Sequence, residues 1–204
     1  MYEKYGQFID GKWHKSSTGE TYEVINPANE EIIGKASKAS SEDVDKALLS
    51  AQKGLEVWKK TPPWQRAYIL RRIADKMREK QDILAKWMTL EVGKPFAEAK
   101  GEVNGAADIY EWNAEETKRI YGQTVESRFE DTRVHVYYQP VGVVAALVPW
   151  NFPLVLSSRK ISTALAAGCS VIVKPDVITP GVVMEQVEIC RECGVPPGVV
   201  NLLS

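Results

Sequence analysis

The chain of 204 residues is 44% hydrophobic and 26% charged, a composition typical of globular proteins that excludes a disordered or fibrous chain. Its 26 basic residues are balanced by 27 acidic ones and are scattered, so the charge favours neither a nucleic-acid partner nor an anionic membrane surface. The sequence has no apolar run of about 18 residues, no leader-like N-terminus and an odd set of 3 cysteines, so we expect a cytoplasmic chain with reduced thiols.

The first forty residues predict short strands separated by turns. Apolar pairs occur at Phe8-Ile9, Val24-Ile25 and Ile32-Ile33. Turn-forming pairs at Asp10-Gly11 and Asn26-Pro27 separate them.

Residues 40–58 predict the first of three long helices. Ser40 and Asp43, three residues apart, form the sequence pattern of a capping box. Apolar side chains then recur on one helical stripe: Val44, Ala47, Leu48, Ala51, Leu55 and Trp58. Pro62-Pro63 ends this pattern.

Two further helices follow. A helical stripe over residues 70–90, with a break near its middle, closes near Gly93. The next helix follows Pro95 and is expected to run to about Tyr121, with Gly122 as its terminating residue.

The last third of the sequence predicts a β-α-β-α-β unit. Residues 133–138 alternate as a partly exposed strand does, and residues 141–148 are almost wholly apolar, which suits a strand covered on both faces. A helix, a strand at residues 170–173, a helix ending near Cys193 and a strand at residues 199–203 follow. Crossovers of this kind make the strands parallel neighbours with functional loops at their carboxyl ends. The predicted fold class is therefore α/β, a Rossmann-like parallel sheet preceded by long helices.

Short motifs lie at the ends of these strands. The sequence reads Pro-Trp-Asn-Phe-Pro over residues 149–153, Arg159-Lys160, Ala-Ala-Gly-Cys-Ser over residues 166–170, Lys174-Pro175 and Thr179-Pro180. This ordered set resembles the aldehyde dehydrogenase superfamily, and the chain looks most similar to its succinate-semialdehyde dehydrogenase-like members. The resemblance implies oxidation of an aldehyde to the acid with NAD or NADP, through a cysteine thiohemiacetal and a thioester. No Gly-x-Gly-x-x-Gly stretch occurs, which weighs against an ordinary Rossmann dehydrogenase.

The resemblance also implies a domain organisation. Residues 1–121 and 141–204 would be part of the cofactor-binding domain, and residues 122–140 a β-hairpin arm that joins subunits of a homo-oligomer. In the family, the nucleophilic cysteine and the general-base glutamate lie beyond the position of Ser204. We therefore expect an incomplete aldehyde dehydrogenase fold that lacks the catalytic domain and does not oxidise aldehydes by itself.

Asn151 is the predicted catalytic residue. A carboxamide N–H stabilises an oxyanion that forms when a thiolate attacks an aldehyde carbonyl, and the resemblance implies this role for Asn151. Asparagine is also a good helix cap, and capping of the following helix is the alternative. The resemblance assigns cofactor binding to Val148, Pro149, Trp150, Asn151, Lys174, Pro175, Asp176 and Val177.

Lys174 follows a strand and is placed to bind ribose or phosphate at the sheet crevice, although strand-end lysines are commonly just solvated. Here the chain departs from a frequent family pattern, because Asp176 and Val177 stand where serine and glutamate often follow Lys-Pro. Asp176 either binds ribose hydroxyls, which gives a slight preference for NAD over NADP, or caps the helix that begins near Pro180.

Arg159 is the predicted substrate-binding residue. It lies about two turns beyond Asn151, so either Arg159 or Lys160 is expected to face the same cavity. A guanidinium binds a carboxylate through two hydrogen bonds, and the resemblance implies such a contact with a semialdehyde. A solvated arginine that pairs with Asp or Glu is the alternative.

Cys190 and Cys193 raise the alternative of a thiol redox or metal-binding protein, but no second cysteine pair or spaced histidine supports it, and no metal ligand is assigned. Cys169 is predicted to be a buried packing residue. A stretch that also matches the family is interpreted as local helix capping without a site: Glu91, Gly93, Lys94, Pro95, Glu98 and Ala99.

A further alternative is a truncated nucleotide-binding or assembly module that acts with a complementary chain. It depends on residues 199–203, whose apolar side chains would form an exposed edge of a three-stranded sheet.

Overall fold

The computed structural model describes residues 2–204, and the short strands of its N-terminal part lie where the turn residues predict them. The N-terminal elements are β1 (Gln7–Ile9), β2 (Lys12–His14), β3 (Thr21–Ile25) and β4 (Ile32–Ser37), then α1 (Ser41–Trp58), α2 (Pro63–Glu79), α3 (Gln81–Val92) and α4 (Phe96–Thr117). The C-terminal elements are β5 (Gln123–Glu126), β6 (Arg133–Val136), β7 (Val143–Leu147), α5 (Pro153–Ala166), β8 (Ser170–Lys174), α6 (Pro180–Glu192) and β9 (Val200–Leu202).

Five strands form the central sheet in the order β2-β1-β9-β8-β7. Strands β7, β8 and β9 are parallel, which confirms the β-α-β-α-β unit and the α/β class. The prediction that residues 199–203 form an exposed edge is wrong. Strand β1 pairs antiparallel with β9, with Phe8 opposite Leu202, so the N-terminal strand buries β9 inside the sheet. The assembly alternative thereby loses the feature on which it depended.

The helices differ from the predictions in number and length. Four long helices precede β5 instead of three, because the chain breaks at Lys80 between α2 and α3. Helix α4 ends at Thr117 rather than near Tyr121. Gly122 is not its cap; it lies against the hairpin, where an added Cβ would be 2.5 Å from the carbonyl oxygen of Val136.

Helix α1 begins with the predicted capping box, in which Ser40 and Asp43 bond each other's backbone N–H. Its predicted apolar stripe is only partly buried, because Val44 and Leu48 remain 40% and 42% exposed. Beside Ala47, Ala51 and Trp58, the buried residues of this helix are small or polar: Asp43, Ser50 and Gly54.

The sheet has two differently covered faces. Helices α5 and α6, backed by α2, α3 and α4, cover the face that carries Val171 and Val173. Helix α1 covers the other face, where Ala47 and Ala51 pack on Ile172. Strand β7 was expected to be covered on both faces, but only Ala146 in it is fully buried, while Val143 and Val144 are partly buried and Ala145 and Leu147 are exposed.

Gly54 allows α1 to approach the sheet closely. A Cβ on Gly54 would lie 2.2 Å from the carbonyl carbon of Gly198, so only glycine fits without a backbone shift.

Strands β5 and β6 form an exposed antiparallel hairpin, with Thr124 opposite His135. This confirms the hairpin at residues 122–140, while its role in joining subunits stays a prediction. Within residues 2–204, no helix is both long and apolar enough to cross a membrane.

Candidate active site

The two predicted cofactor segments lie side by side at the carboxyl edge of the sheet. Leu147 at the end of β7 is opposite Lys174 at the end of β8. The Val148 N–H donates to the carbonyl oxygen of Lys174 at 3.0 Å, which holds the two loops together. The parallel register therefore brings together residues that are 26 positions apart, as the crossover rule requires.

Asn151 is exposed in the loop between β7 and α5, and the helix-cap interpretation of this residue is wrong. The first N–H groups of α5, at Leu154 and Val155, donate instead to Oε1 of Glu102 at 3.0 and 3.2 Å. Glu102 of α4 thus supplies the cap. The Asn151 carboxamide forms no hydrogen bond with residues 2–204, so it is available to a ligand.

Asn151 and Arg159 line one cavity of about 470 Å³, together with Lys94, Glu98 and Phe152. Arg159 thus faces the cavity of Asn151, as expected for one of the pair Arg159-Lys160. Its guanidinium forms no ion pair with the part of the chain that the structure describes, so the pairing alternative is not observed. Lys160 turns away, and its Nζ donates to the carbonyl oxygen of Leu147.

Lys94 and Glu102 form an ion pair beside this cavity. The Lys94 Nζ also lies 3.4 Å from the carbonyl oxygen of Asn151 and 4.0 Å from the centre of the Phe152 ring. The interpretation of Lys94 as a local helix-capping residue is therefore wrong. The family-like stretch around Lys94 was a sequence signal, but Asn151 is 57 positions away and its contact with Lys94 follows from packing.

Glu91 caps α6 in the way that Glu102 caps α5. Its carboxylate is completely buried and accepts the N–H groups of Gly181 and Val182 at 2.6 and 3.1 Å, as well as the Tyr2 hydroxyl. Burial raises its pKa to about 7, although the three hydrogen bonds act in the opposite direction. Local capping is wrong for Glu91 too, because the helix it caps is 90 positions away.

The two carboxylates occupy the N-termini of α5 and α6, the helices that begin at the carboxyl edge of the sheet. Helix N-termini of this kind commonly bind phosphate groups. Here protein carboxylates already take those N–H groups. These N–H groups are therefore not free to bind a pyrophosphate, in keeping with the missing Gly-x-Gly-x-x-Gly stretch.

A second cavity of about 960 Å³ lies on the α1 face of the sheet, where Lys174 and Val177 meet Leu147, Val44 and Leu48. Its walls are largely apolar, with the Lys174 ammonium at the carboxyl ends of the strands. One Lys174 N–H reaches the carbonyl oxygen of Pro175 at 2.7 Å, and an ammonium has two further donors.

Asp176 neither lines this cavity nor caps α6. Its Oδ1 accepts the Ile178 N–H at 3.0 Å and fixes the turn before the helix, whose N-cap is Thr179. The alternative in which Asp176 caps the helix is therefore wrong. The other predicted cofactor residues differ in placement: the Val148 and Pro175 side chains are buried, whereas Pro149 and Trp150 are exposed and line neither cavity.

The three cysteines are all buried, and none lines either cavity. Burial raises the pKa of Cys190 to about 12 and also raises the pKa of Cys193, which disfavours reactive thiolates. Among residues 2–204, no cluster of three His, Cys, Asp or Glu side chains is placed to hold a metal ion. These positions give no support to a redox or metal function for the Cys190 and Cys193 pair.

The aldehyde dehydrogenase family model matches residues 13–204. The chain belongs to the aldehyde dehydrogenase family. This confirms the resemblance that the motifs between Pro149 and Pro180 indicated.

Curated members of the aldehyde dehydrogenase family are similar over nearly the whole chain. The chain is 44% identical to the glutarate-semialdehyde dehydrogenase of Pseudomonas aeruginosa, covering 97% of this chain and 41% of that protein. It is also 44% identical to the succinate-semialdehyde dehydrogenase (NADP(+)) of Escherichia coli, covering 96% of this chain and 41% of that protein. The solved structure of an NADP-dependent enzyme from E. coli superposes with a TM-score of 0.95 at 43% identity, over 97% of this chain and 41% of that one. The chain thus spans 41% of the length of these relatives and has a partial aldehyde dehydrogenase fold.

Proposed function

We propose that this chain is the N-terminal part of an NAD(P)-dependent aldehyde dehydrogenase that oxidises a carboxylate-bearing aldehyde to the acid. The observation that carries the proposal is the shared cavity of Asn151 and Arg159 in a chain of this family. In the proposed assignment, Asn151 acts at the reacting carbonyl and Arg159 at the far end of the substrate.

Asn151 suits the role of oxyanion donor because it lines the cavity and its carboxamide forms no hydrogen bond with residues 2–204. An N–H donor that is fixed before the reaction stabilises the charge that develops on the aldehyde oxygen. A neutral amide gives this stabilisation without adding a charge beside the attacking thiolate. Glu102 leaves Asn151 free for this task by capping α5 in its place.

The attacking thiolate is proposed to come from outside these residues. All three cysteines are buried away from Asn151, and burial raises the pKa of Cys190 and Cys193. We therefore expect no aldehyde oxidation by the 204-residue chain alone.

The cavity beside Lys174 is the proposed cofactor site. Lys174 is placed to donate hydrogen bonds to a ribose or phosphate, and the apolar walls at Leu147 and Val177 suit a flat ring. A bound NAD or NADP would supply the hydride acceptor. The preference for NAD depended on Asp176, whose Oδ1 holds the Ile178 N–H instead of facing the cavity. We therefore propose binding of either NAD or NADP.

Arg159 is proposed to select aldehydes with a distant carboxylate. Arg159 lines the cavity, and its guanidinium has no protein counterion among residues 2–204. The relatives named for glutarate semialdehyde and succinate semialdehyde act on aldehydes of this chemical class.

Calorimetric titration of the chain with NAD and with NADP tests the cofactor site, with NADH or NADPH formation followed after aldehyde is added. We expect binding without turnover, and binding about tenfold weaker in Lys174→Met because a charged hydrogen bond is lost. Lys46→Met, which changes an exposed lysine of α1, is the matched control. Turnover by the chain, or equal affinity in both variants, would contradict the proposal.

Titration with succinate semialdehyde and with butanal, followed through the NMR signal of the Asn151 carboxamide, tests the substrate class. We expect the charged aldehyde to bind about tenfold more tightly, because its carboxylate pairs with the guanidinium. Arg159→Ala should remove this difference, and Arg128→Ala on the exposed hairpin should retain it. A difference that survives in Arg159→Ala rules out the assigned role.

The hairpin at residues 122–140 is proposed to join subunits. Val125 and Val134 are exposed on its two strands, and Tyr137 follows with 75% exposure. Sedimentation velocity of the chain should show a self-associated species that Val134→Glu removes, whereas a monomer at all concentrations contradicts this role for the hairpin.

A further inference from the structure

The loop that carries Asn151 has little backbone support of its own. The Val148 N–H is bonded to Lys174 on one side of the loop, and the carbonyl oxygen of Phe152 accepts the Leu156 N–H on the other. Between these points, the Lys94 Nζ donates a hydrogen bond of 3.4 Å to the Asn151 carbonyl oxygen. Among residues 2–204, this is the hydrogen bond that supports residues 149–151 from outside the loop.

The Lys94 ammonium is itself held in place from two sides. Glu102 forms an ion pair with it, and the face of the Phe152 ring lies 4.0 Å from the Nζ atom. Both partners of the pair are largely withdrawn from water, with side-chain exposures of 10% for Lys94 and 2% for Glu102. A buried pair of this kind is held firmly, because separating its members leaves an uncompensated buried charge.

Glu102 uses its two oxygens for different purposes. Oε2 pairs with Lys94, while Oε1 accepts the N–H groups of Leu154 and Val155 in the first turn of α5. One carboxylate therefore fixes both the helix that follows the loop and the lysine that holds the loop.

The cap of α6 lacks this second contact. Glu91 accepts the N–H groups of Gly181 and Val182 and the Tyr2 hydroxyl, and no lysine joins it to a loop among residues 2–204. The lysine is thus not required for capping a helix with a buried glutamate. Its presence at α5 calls for a different explanation, and the contact with the Asn151 peptide group provides one.

We propose that Lys94 and Glu102 are positioning residues that hold the Asn151 peptide group, so that the Asn151 carboxamide faces the cavity it shares with Arg159. This inference rests on the proposed function for its catalytic meaning, but the positioning is measurable without cofactor or aldehyde. Lys94 does not touch the reacting atoms and acts only through the Asn151 loop.

Backbone and side-chain ¹⁵N relaxation of the 204-residue chain tests the proposal. In the unaltered chain, the Asn151 and Phe152 amides should have order parameters of about 0.85, the value of rigid backbone. In Lys94→Met they should fall below about 0.6, the value of flexible segments. Lys94→Arg, which keeps the charge, should restore most of the order.

Amide exchange at Leu154 and Val155 separates positioning from capping. Lys94→Met should change these rates by less than about twofold, because Glu102 still accepts both N–H groups, whereas Glu102→Ala should raise them about tenfold or more. Glu102→Gln keeps an oxygen for the helix but loses the ion pair, so it should loosen Asn151 while largely sparing α5. Glu98→Gln is the matched control, since Glu98 lines the same cavity and forms no bond with α5 among the described residues.

An ordered Asn151 in both Lys94→Met and Glu102→Gln overturns the proposal. The proposal is also overturned if Lys94→Met lowers the order parameters equally throughout α5, because the ion pair would then stabilise the helix in general rather than position Asn151. Failure of the chain to bind NAD, NADP or aldehyde would remove the proposed function but leave these order parameters unaffected, so the two failures are distinguishable.

Discussion

On one face of the central sheet, Val171 and Val173 are completely covered by α5 and α6. On the other face, Leu147 at the end of β7 leaves 64% of its surface exposed and borders a cavity of about 960 Å³. Both faces carry apolar side chains, so composition does not distinguish them. The difference indicates that burial on the first face contributes more to the stability of the fold, while the carboxyl end of β7 leaves apolar surface exposed on the other.

The largest expected effect is the difference between two identical substitutions, one on each face. Leu165→Ala, in the packed face, should lower the free energy of unfolding by about 2–5 kcal/mol, because a buried leucine leaves a cavity. Leu147→Ala, on the open face, should change it by less than about 0.5 kcal/mol. Urea denaturation of both variants gives the comparison, and similar losses would show that the open face is covered in solution.

A buried charge on the packed side should produce the next largest effect. The pKa of Glu91 is raised from its ordinary 4.5 to about 7 by burial, so the folded chain binds this proton more tightly than the unfolded chain. The free energy of unfolding should therefore fall by about 3 kcal/mol as pH rises from about 4.5 to above 7.

Replacement of Glu91 by glutamine should remove this decrease, because the amide keeps an acceptor for the Gly181 N–H but does not ionise in this pH range. Urea denaturation at pH 5 and pH 8 measures it, with Glu98→Gln as an exposed control. An unchanged pH dependence in Glu91→Gln would assign the effect to another group.

The smallest expected effect concerns helix α1, which packs on the less covered face of the sheet. Ser40→Ala should lower the free energy of unfolding by about 1 kcal/mol, because the hydroxyl that accepts the Asp43 N–H is lost. Ser41→Ala, one residue further on and exposed, should be close to neutral. Thermal denaturation of both variants measures the difference. Equal effects at the two positions would mean that the capping box does not stabilise α1.

Local patterns predicted many of the elements correctly. The capping box at Ser40, the helix end at Gly93 and the three parallel strands follow from residue spacing, because caps, turns and crossovers obey local geometric rules. The local patterns failed where a distant element intervened. Strand β9 is internal because β1 pairs with it, and the alternative of Asn151 as a helix cap fails because Glu102 of α4 accepts the first N–H groups of α5.

The sequence by itself determined the family, the α/β class and the candidate residues Asn151, Arg159 and Lys174, because motifs and periodicity are properties of neighbouring residues. Only the tertiary structure decided that Arg159 rather than Lys160 faces the cavity of Asn151, and that Lys94 and Glu102 contact the Asn151 loop and α5. These contacts join residues that are far apart in the chain. Their geometry depends on how the helices pack on the sheet, which no local pattern encodes.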